Sequence, residues 1–303
     1  MNLEAQYHIG ITGQKWGKAE KLAWLGEQTI KRSYKDNVLS ALNEMVDVLE
    51  LIQYGSVLYK PHNYPLFILK SKDWKNERPN ILITGGVHGY ETSGVHGAIE
   101  FAKSKVQDYD GDFNFIIAPC VSPWGYETIN RWNAEALDPN RSFYKASPSQ
   151  EAASLITFIE RLNIEFIAHI DLHETTDTDN SEFRPALAAR DAIFQKSWDI
   201  PDGFYLVGDS SKPEAQFQKA IIDNVQVVTH IAPADSEQRL IGEPIEQFGV
   251  INYAARQLGL CMGLTDAPYV TTTEVYPNSE LVDDNNCIDA QVAAITGALE
   301  YLR

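Results

Sequence analysis

Cysteine is scarce in this 303-residue chain: Cys120, Cys261 and Cys287 are an odd number at wide spacings. That excludes both a disulfide framework and a Cys-rich zinc site, and leaves buried reduced thiols as the reading. Positive charge is short as well, with 25 Lys plus Arg against 42 Asp plus Glu and a formal net charge of −17. No excess of cations is available to displace counterions from a phosphate backbone, so a nucleic-acid partner is not expected. Long hydrophobic runs are also missing. No uncharged apolar stretch is long enough to span a bilayer, and the opening residues show no basic segment followed by an apolar core. The expectation is a cytoplasmic protein without a membrane partner.

What is present is a 44% hydrophobic chain whose length suits one large domain or two small ones. No linker or repeat divides it, which favours one domain. Val38, Leu42, Met45 and Leu49 fall on one helical face, so residues 1–55 read as a helical extension packed on a main domain over 56–303. Tyr64–Lys70, Asn80–Gly86, Phe113–Pro119 and Glu165–Asp171 are nearly continuous apolar runs, as strands buried on both faces require. Helix-like stretches lie between and after them (Thr92–Lys105, Pro148–Leu162, Gln247–Leu258), followed by a strand over Gly259–Asp266 and a closing helix over Ile288–Leu302. Strands alternating with helices predict an α/β fold with a mixed, largely parallel, twisted sheet flanked by helices.

Two strand ends carry metal-ligand types. Strand Ile81–Ile83 runs into TGGVHGYETSG, where His88 and Glu91 stand three apart beside Gly85, Gly86 and Gly89, which permit a turn. The run Phe166–Ile170 leads into HIDLHETTDTD and His173. Ligands in open α/β sheets bind beyond the carboxyl ends of strands. Two His and one Glu suit a zinc site with an open position for water. The competing reading is ordinary polar residues at loop starts. His96 reads as a surface or packing residue, and His8, His62, His169 and His230 have no supporting context. The helical HExxH motif is absent.

Between the strand ends lies SPWGYETINRWNAEALDPNRSFY, offering Arg131, Asn140 and Arg141 as carboxylate anchors, since a guanidinium fork matches a carboxylate bidentately. Val270–Val275 is β-branched and reads as a strand with Glu274 inside it. Glu274 is either a partnered base with a raised pKa, in a strand packed on a core, or an edge-strand residue facing water. The acidic run Asp171, Glu174, Asp177, Asp179, Glu182 reads first as a solvated loop, and otherwise as a cation-attracting rim or a second metal position.

Taken together, the pattern resembles the zinc metallocarboxypeptidases, the carboxypeptidase A-like family, over roughly residues 60 to 300. His88 and Glu91 match its HxxE pair, and His173 its distant third ligand. Small bacterial members place an arginine before an N-A-x-G-V-D-L-N-R-N-F run. Here Arg131 precedes NAEALDPNRSF, and Glu274 sits in the family's late T-x-E context. The N-P-D-G turn has become SPWG, and Pro139 stiffens the approach to Asn140. The DLHETT context is similar to the succinylglutamate desuccinylases and aspartoacylases.

The resemblance implies one zinc ion held by His88, Glu91 and His173, with Glu274 as general base and Arg131 stabilising the oxyanion. It implies that Asn140 and Arg141 clamp the C-terminal carboxylate of a peptide, and that a tyrosine, Tyr253 or Tyr269, lines the site. The alternative is a deacylase of an N-acyl amino acid using the same zinc, although those enzymes tend to append a β-rich domain where this chain closes with a strand and a helix. A third reading is a catalytically dead domain that holds carboxylate-bearing peptides.

Overall fold

The apolar runs form the middle of one sheet, in the computed structural model that describes residues 7–195 and 198–303. Its strands are β1 (Leu49–Tyr59), β2 (His62–Ser71), β3 (Asn80–Gly85), β4 (Asn114–Ala118), β5 (Phe166–Glu174) and β6 (Tyr205–Asp209), with β9 (Val250–Tyr253) and β10 (Tyr269–Val275); β7 (Arg239–Leu240) and β8 (Glu243–Pro244) make a separate small hairpin. The order across the eight-stranded sheet is β1-β2-β4-β3-β5-β10-β6-β9. The central strands β4, β3, β5 and β10 run parallel, and antiparallel pairs β1–β2, β2–β4 and β10–β6 flank them. Strands β3 and β4 are buried at almost every position because both faces of the sheet are covered there, as expected for a parallel centre.

The helices are α1 (Lys18–Gly26), α2 (Ser40–Asn43), α3 (Thr92–Ser104), α4 (Val106–Tyr109), α5 (Pro123–Thr128), α6 (Gln150–Leu162), α7 (Arg184–Asp191), α8 (Ala215–Val225) and α9 (Asp284–Leu302). Helix α6 starts where Ser149 caps Ala152 N–H, and α9 where Asp283 accepts from Asn286 N–H. Helix α3 lies tightly on β5: a Cβ on Gly94 would sit 2.4 Å from the Leu172 carbonyl oxygen, so only glycine allows that approach. No helix among the described residues is long and apolar enough to cross a membrane.

Three segments differ from the sequence expectation. Gln247–Leu258 is not a helix: Gly249 turns at φ +69 and Val250–Tyr253 pairs with β6 instead. Gly259–Asp266 is not a strand but contains a single 3-10 turn, Cys261–Gly263, because Gly259 takes φ +64 and the Asn140 side chain captures the Cys261 N–H. The apolar face at Val38, Leu42, Met45 and Leu49 is buried as expected. It is shared by a π turn (Lys35–Leu39), α2 and the first residue of β1, so the sheet begins inside the expected helical extension. Residues 1–6 of that extension lie outside the described residues.

Aromatic packing ties the N-terminal segment to the rest. Trp16 meets Trp132 edge-on at 6.1 Å, and Trp24 packs on both Trp132 (5.5 Å) and Trp124 (6.1 Å).

Candidate active site

The carboxyl ends of β3 and β5 bring His88, Glu91 and His173 together. All three are buried, and one ligand atom from each lies within 4.8 Å of the others. The glycines of the first loop work differently from one another. Gly86 alone takes positive φ (+58), while Gly89 is required by contact: its Cβ would fall 2.1 Å from Tyr126 N. Glu91 then sits at the N-cap of α3, with its carboxylate between the two imidazoles.

The ring edges are sorted by function. His88 Nδ1 lies 2.7 Å from Glu91 Oε1, and His173 Nδ1 lies 2.7 Å from Glu91 Oε2. Glu91 Oε2 is nonetheless a buried oxygen without a directional hydrogen bond. One nitrogen from each ring and the Glu91 carboxylate thus converge on one spot, and two imidazoles with one carboxylate are a zinc donor set. The opposite ring edges are held by carboxylates. His88 Nε2 donates to Asp138 Oδ1 at 2.9 Å, and His173 Nε2 to Asp171 Oδ2 at 2.9 Å. Such outer partners fix the ring orientation and raise the basicity of the inner nitrogen. Burial pushes the Glu91 carboxyl up, but the facing His173 and His88 outweigh it and hold it down at about 2.

Behind His173 the packing is polar and closed. Thr84 Oγ1 donates to Asp171 Oδ1 at 2.6 Å and accepts from His169 Nε2 at 2.9 Å, with Cys261 Sγ 3.6 Å away. His169, Asp171 and Cys261 cluster as metal ligands would, but the Thr84 hydroxyl sits among them and serves as their common hydrogen-bond partner. Asp171, Glu174 and Asp179 are buried whereas Asp177 and Glu182 are exposed, so only part of the acidic run is solvated. Asp179 instead accepts from Tyr90 Oη (3.1 Å) and Arg131 (3.2 Å).

The remaining candidates line one cavity of about 680 Å³ with His88. Strand register delivers Glu274: on parallel strands β10 and β5 it pairs directly with His173, so the two side chains leave the same face one strand apart. Strand β10 is interior to the sheet, which removes the edge-strand reading. Glu274 Oε2 accepts from Thr175 Oγ1 at 2.8 Å, and Thr175 is itself hydrogen-bonded to Tyr205 Oη. Burial pushes the Glu274 carboxyl up to about 8, partly opposed by His173.

Arg131 is tied to Asp138 (3.4 Å) and Asp179 and stacks over Phe183 at 4.3 Å. Asn140 is more constrained than a free anchor. Its Oδ1 accepts from Cys261 N, leaving the Nδ2 edge, 3.4 Å from His173 Nε2, toward the site. Arg141 is exposed, lines the cavity and donates to the Asn140 carbonyl at 2.8 Å. Of the two tyrosines, Tyr253 lines the cavity, whereas Tyr269 packs on Phe217 and Tyr301. His96 is half-buried and bonded to Tyr126 Oη, a packing role.

Sequence reasoning missed Asp171 as a ligand partner, Thr175 and Tyr205 behind Glu274, and the cavity wall that Lys15, Trp16 and Lys21 supply from the N-terminal segment. A usable signal existed only for Asp171, which precedes His173 at the two-residue spacing that keeps side chains on one strand face.

Residues 37–184 match the family model described as zinc carboxypeptidase (peptidase M14). No curated protein matches the chain. Among solved structures, a candidate metallopeptidase from Shewanella amazonensis is similar at 20% identity and TM-score 0.69, covering 91% of this chain and 99% of that one. A metallo-carboxypeptidase from Burkholderia cenocepacia aligns at 14% identity and TM-score 0.57, over 95% and 69%. Bovine thrombin-activatable fibrinolysis inhibitor aligns at 15% identity and TM-score 0.55, over 96% and 98%. These structural likenesses establish the fold.

Proposed function

We propose that this chain, whose residues 37–184 match the zinc carboxypeptidase family model, is a zinc carboxypeptidase, hydrolysing the C-terminal peptide bond of a peptide or peptide-like substrate. The observation that carries this is the convergence, on one cavity, of a His-Glu-His donor set, a register-paired carboxylate and two arginines with an adjacent amide. His88, Glu91 and His173 would hold the zinc. When bound, zinc supplies a Lewis acid that polarises the scissile carbonyl and acidifies water.

Glu274 takes the proton from the attacking water and delivers it to the leaving amine. A carboxyl with a raised pKa is suited to both transfers. Arg131, held by Asp138 and Asp179, offers positive charge to the developing oxyanion. Arg141 and the Asn140 Nδ2 edge clamp the substrate's free carboxylate, and Tyr253 lines the same cavity.

The test is a screen of zinc-loaded protein against peptides and N-acyl amino acids. Release of C-terminal residues alone is the expected result. Release of acyl acids alone would replace this reading with the deacylase one. Tight peptide binding without turnover would support a dead binding domain.

A further inference from the structure

We infer that Arg32 is a positioning residue for the His88–Glu91 loop, reaching in from the N-terminal segment that precedes the family-matched residues. The inference rests on the reading that His88 and Glu91 hold the metal. Arg32 Nε donates to the Tyr126 carbonyl at 2.6 Å, on α5. Its two terminal nitrogens reach the ligand loop: Nη1 donates to Thr92 Oγ1 at 2.7 Å, and Nη2 to the Gly89 carbonyl at 3.0 Å and the Tyr90 carbonyl at 3.5 Å. The guanidinium also lies over the Tyr126 ring, 3.6 Å from its centroid.

These contacts bracket the ligand pair. Gly89 and Tyr90 are the only residues between His88 and Glu91, and Thr92 follows Glu91 directly. The loop and α5 meet backbone to backbone, since a Cβ on Gly89 would strike Tyr126 N and one on Gly125 would lie 3.3 Å from Gly89 Cα. Arg32 spans that junction with the rigid fork that a lysine lacks. Its four hydrogen bonds all end on neutral oxygens. A half-buried cation set against neutral acceptors is costly unless its geometry is used, and the geometry here orients peptide groups on both sides of Glu91. The segment that delivers Arg32 is itself fastened, through Lys31 and Arg32 N–H to the Glu127 carbonyl and Tyr34 N–H to the Glu127 carboxylate.

The test compares zinc affinity by chelator competition in wild type, Arg32→Met, Arg32→Lys and Thr92→Val, with Tyr34→Phe as control. Tyr34→Phe loses its bond to the Pro65 carbonyl and loosens the same segment without touching the loop. Arg32→Met is expected to weaken zinc about tenfold or more, as loss of an outer-shell support does, and to shift the visible absorption of the cobalt-substituted protein. Arg32→Lys and Thr92→Val should weaken zinc to a smaller extent, and Tyr34→Phe should lower the melting temperature with zinc affinity unchanged. Folded Arg32→Met with wild-type zinc affinity overturns the proposal, and so does an equal loss in Tyr34→Phe. If Arg32→Met does not fold, wild-type affinity in both Arg32→Lys and Thr92→Val overturns it equally. A wild-type protein that takes up no zinc removes the metal reading itself, and this inference with it.

Discussion

Replacing Glu274 with glutamine in the metal-free protein is expected to stabilise the fold, and to do so more strongly as the pH rises. Burial raises this carboxyl from 4.5 to about 8 in the folded state. Between those values the folded chain keeps a proton that the unfolded chain has lost, so stability is full below pH 4.5 and drains away as the pH climbs through 8. At about 1.4 kcal/mol per pH unit the ceiling is about 5 kcal/mol. Glu274 is half-buried and opens onto the cavity, where water screens it. Roughly 2 kcal/mol is therefore the expected difference between pH 5 and pH 9. Glutamine keeps an oxygen for the Thr175 hydroxyl, so the hydrogen bond is not the variable. Urea unfolding of both proteins with a chelator present, at pH 5, 7 and 9, gives the comparison. Glu174, pushed up to about 7 mainly by burial, contributes the same slope to both and cancels. Parallel stability curves for the two proteins would refute the argument, because they would mean that Glu274 ionises on folding as freely as in the unfolded chain.

Three further outcomes follow from the site. Glu91 and Asp171 outweigh burial and hold metal-free His173 protonated well above its ordinary value, so zinc uptake at pH 7 should release at least one proton and tighten as the pH rises; calorimetry in buffers of different ionisation enthalpy reads this, and proton-neutral binding would contradict it. Asp171→Asn and Asp138→Asn should each weaken zinc about 10- to 100-fold while the fold survives, measured by chelator competition, since each removes the carboxylate behind one imidazole. Glu151→Ala should destabilise the protein by about 3 kcal/mol without altering zinc affinity, because it strands buried donors on Tyr59, Asn133 and Ser149, none of them a proposed ligand; urea unfolding with zinc titration separates the two effects.

The parallel centre of the sheet was legible because burial on both faces leaves a composition signature, and β3, β4 and β5 carry it. The proposed metal donors were legible for a related reason: His88 and Glu91 lie in the loop after one such run and His173 at the end of another, so they share a sheet edge. Strands β1, β6 and β9 were not anticipated. They lie toward the sheet margins, where Leu49–Tyr59 alternates between buried and exposed positions rather than running continuously apolar, and β9 is a strand only because β6 offers it hydrogen-bonding partners. Glu274 illustrates the same limit inside the site. Its residue type suggested a base or a solvent-facing carboxylate, and only the pairing of β10 with β5 shows that it stands beside His173 on an interior strand. The support from Arg32 depends on contacts across the fold and leaves no pattern in a single chain, whereas Asp171 carried a signal in its two-residue spacing to His173.

The tryptophans that fasten the N-terminal segment have an optical consequence. Trp16, Trp24, Trp124 and Trp132 are four of the six in the chain, and they form one continuous cluster. Indoles at such separations couple on excitation, so near-ultraviolet circular dichroism reports on the seam between residues 16–24 and the body of the protein. Any condition that lifts that segment away changes the spectrum before the sheet melts. The molecule thus carries its own reporter for the attachment of the segment that bears Arg32.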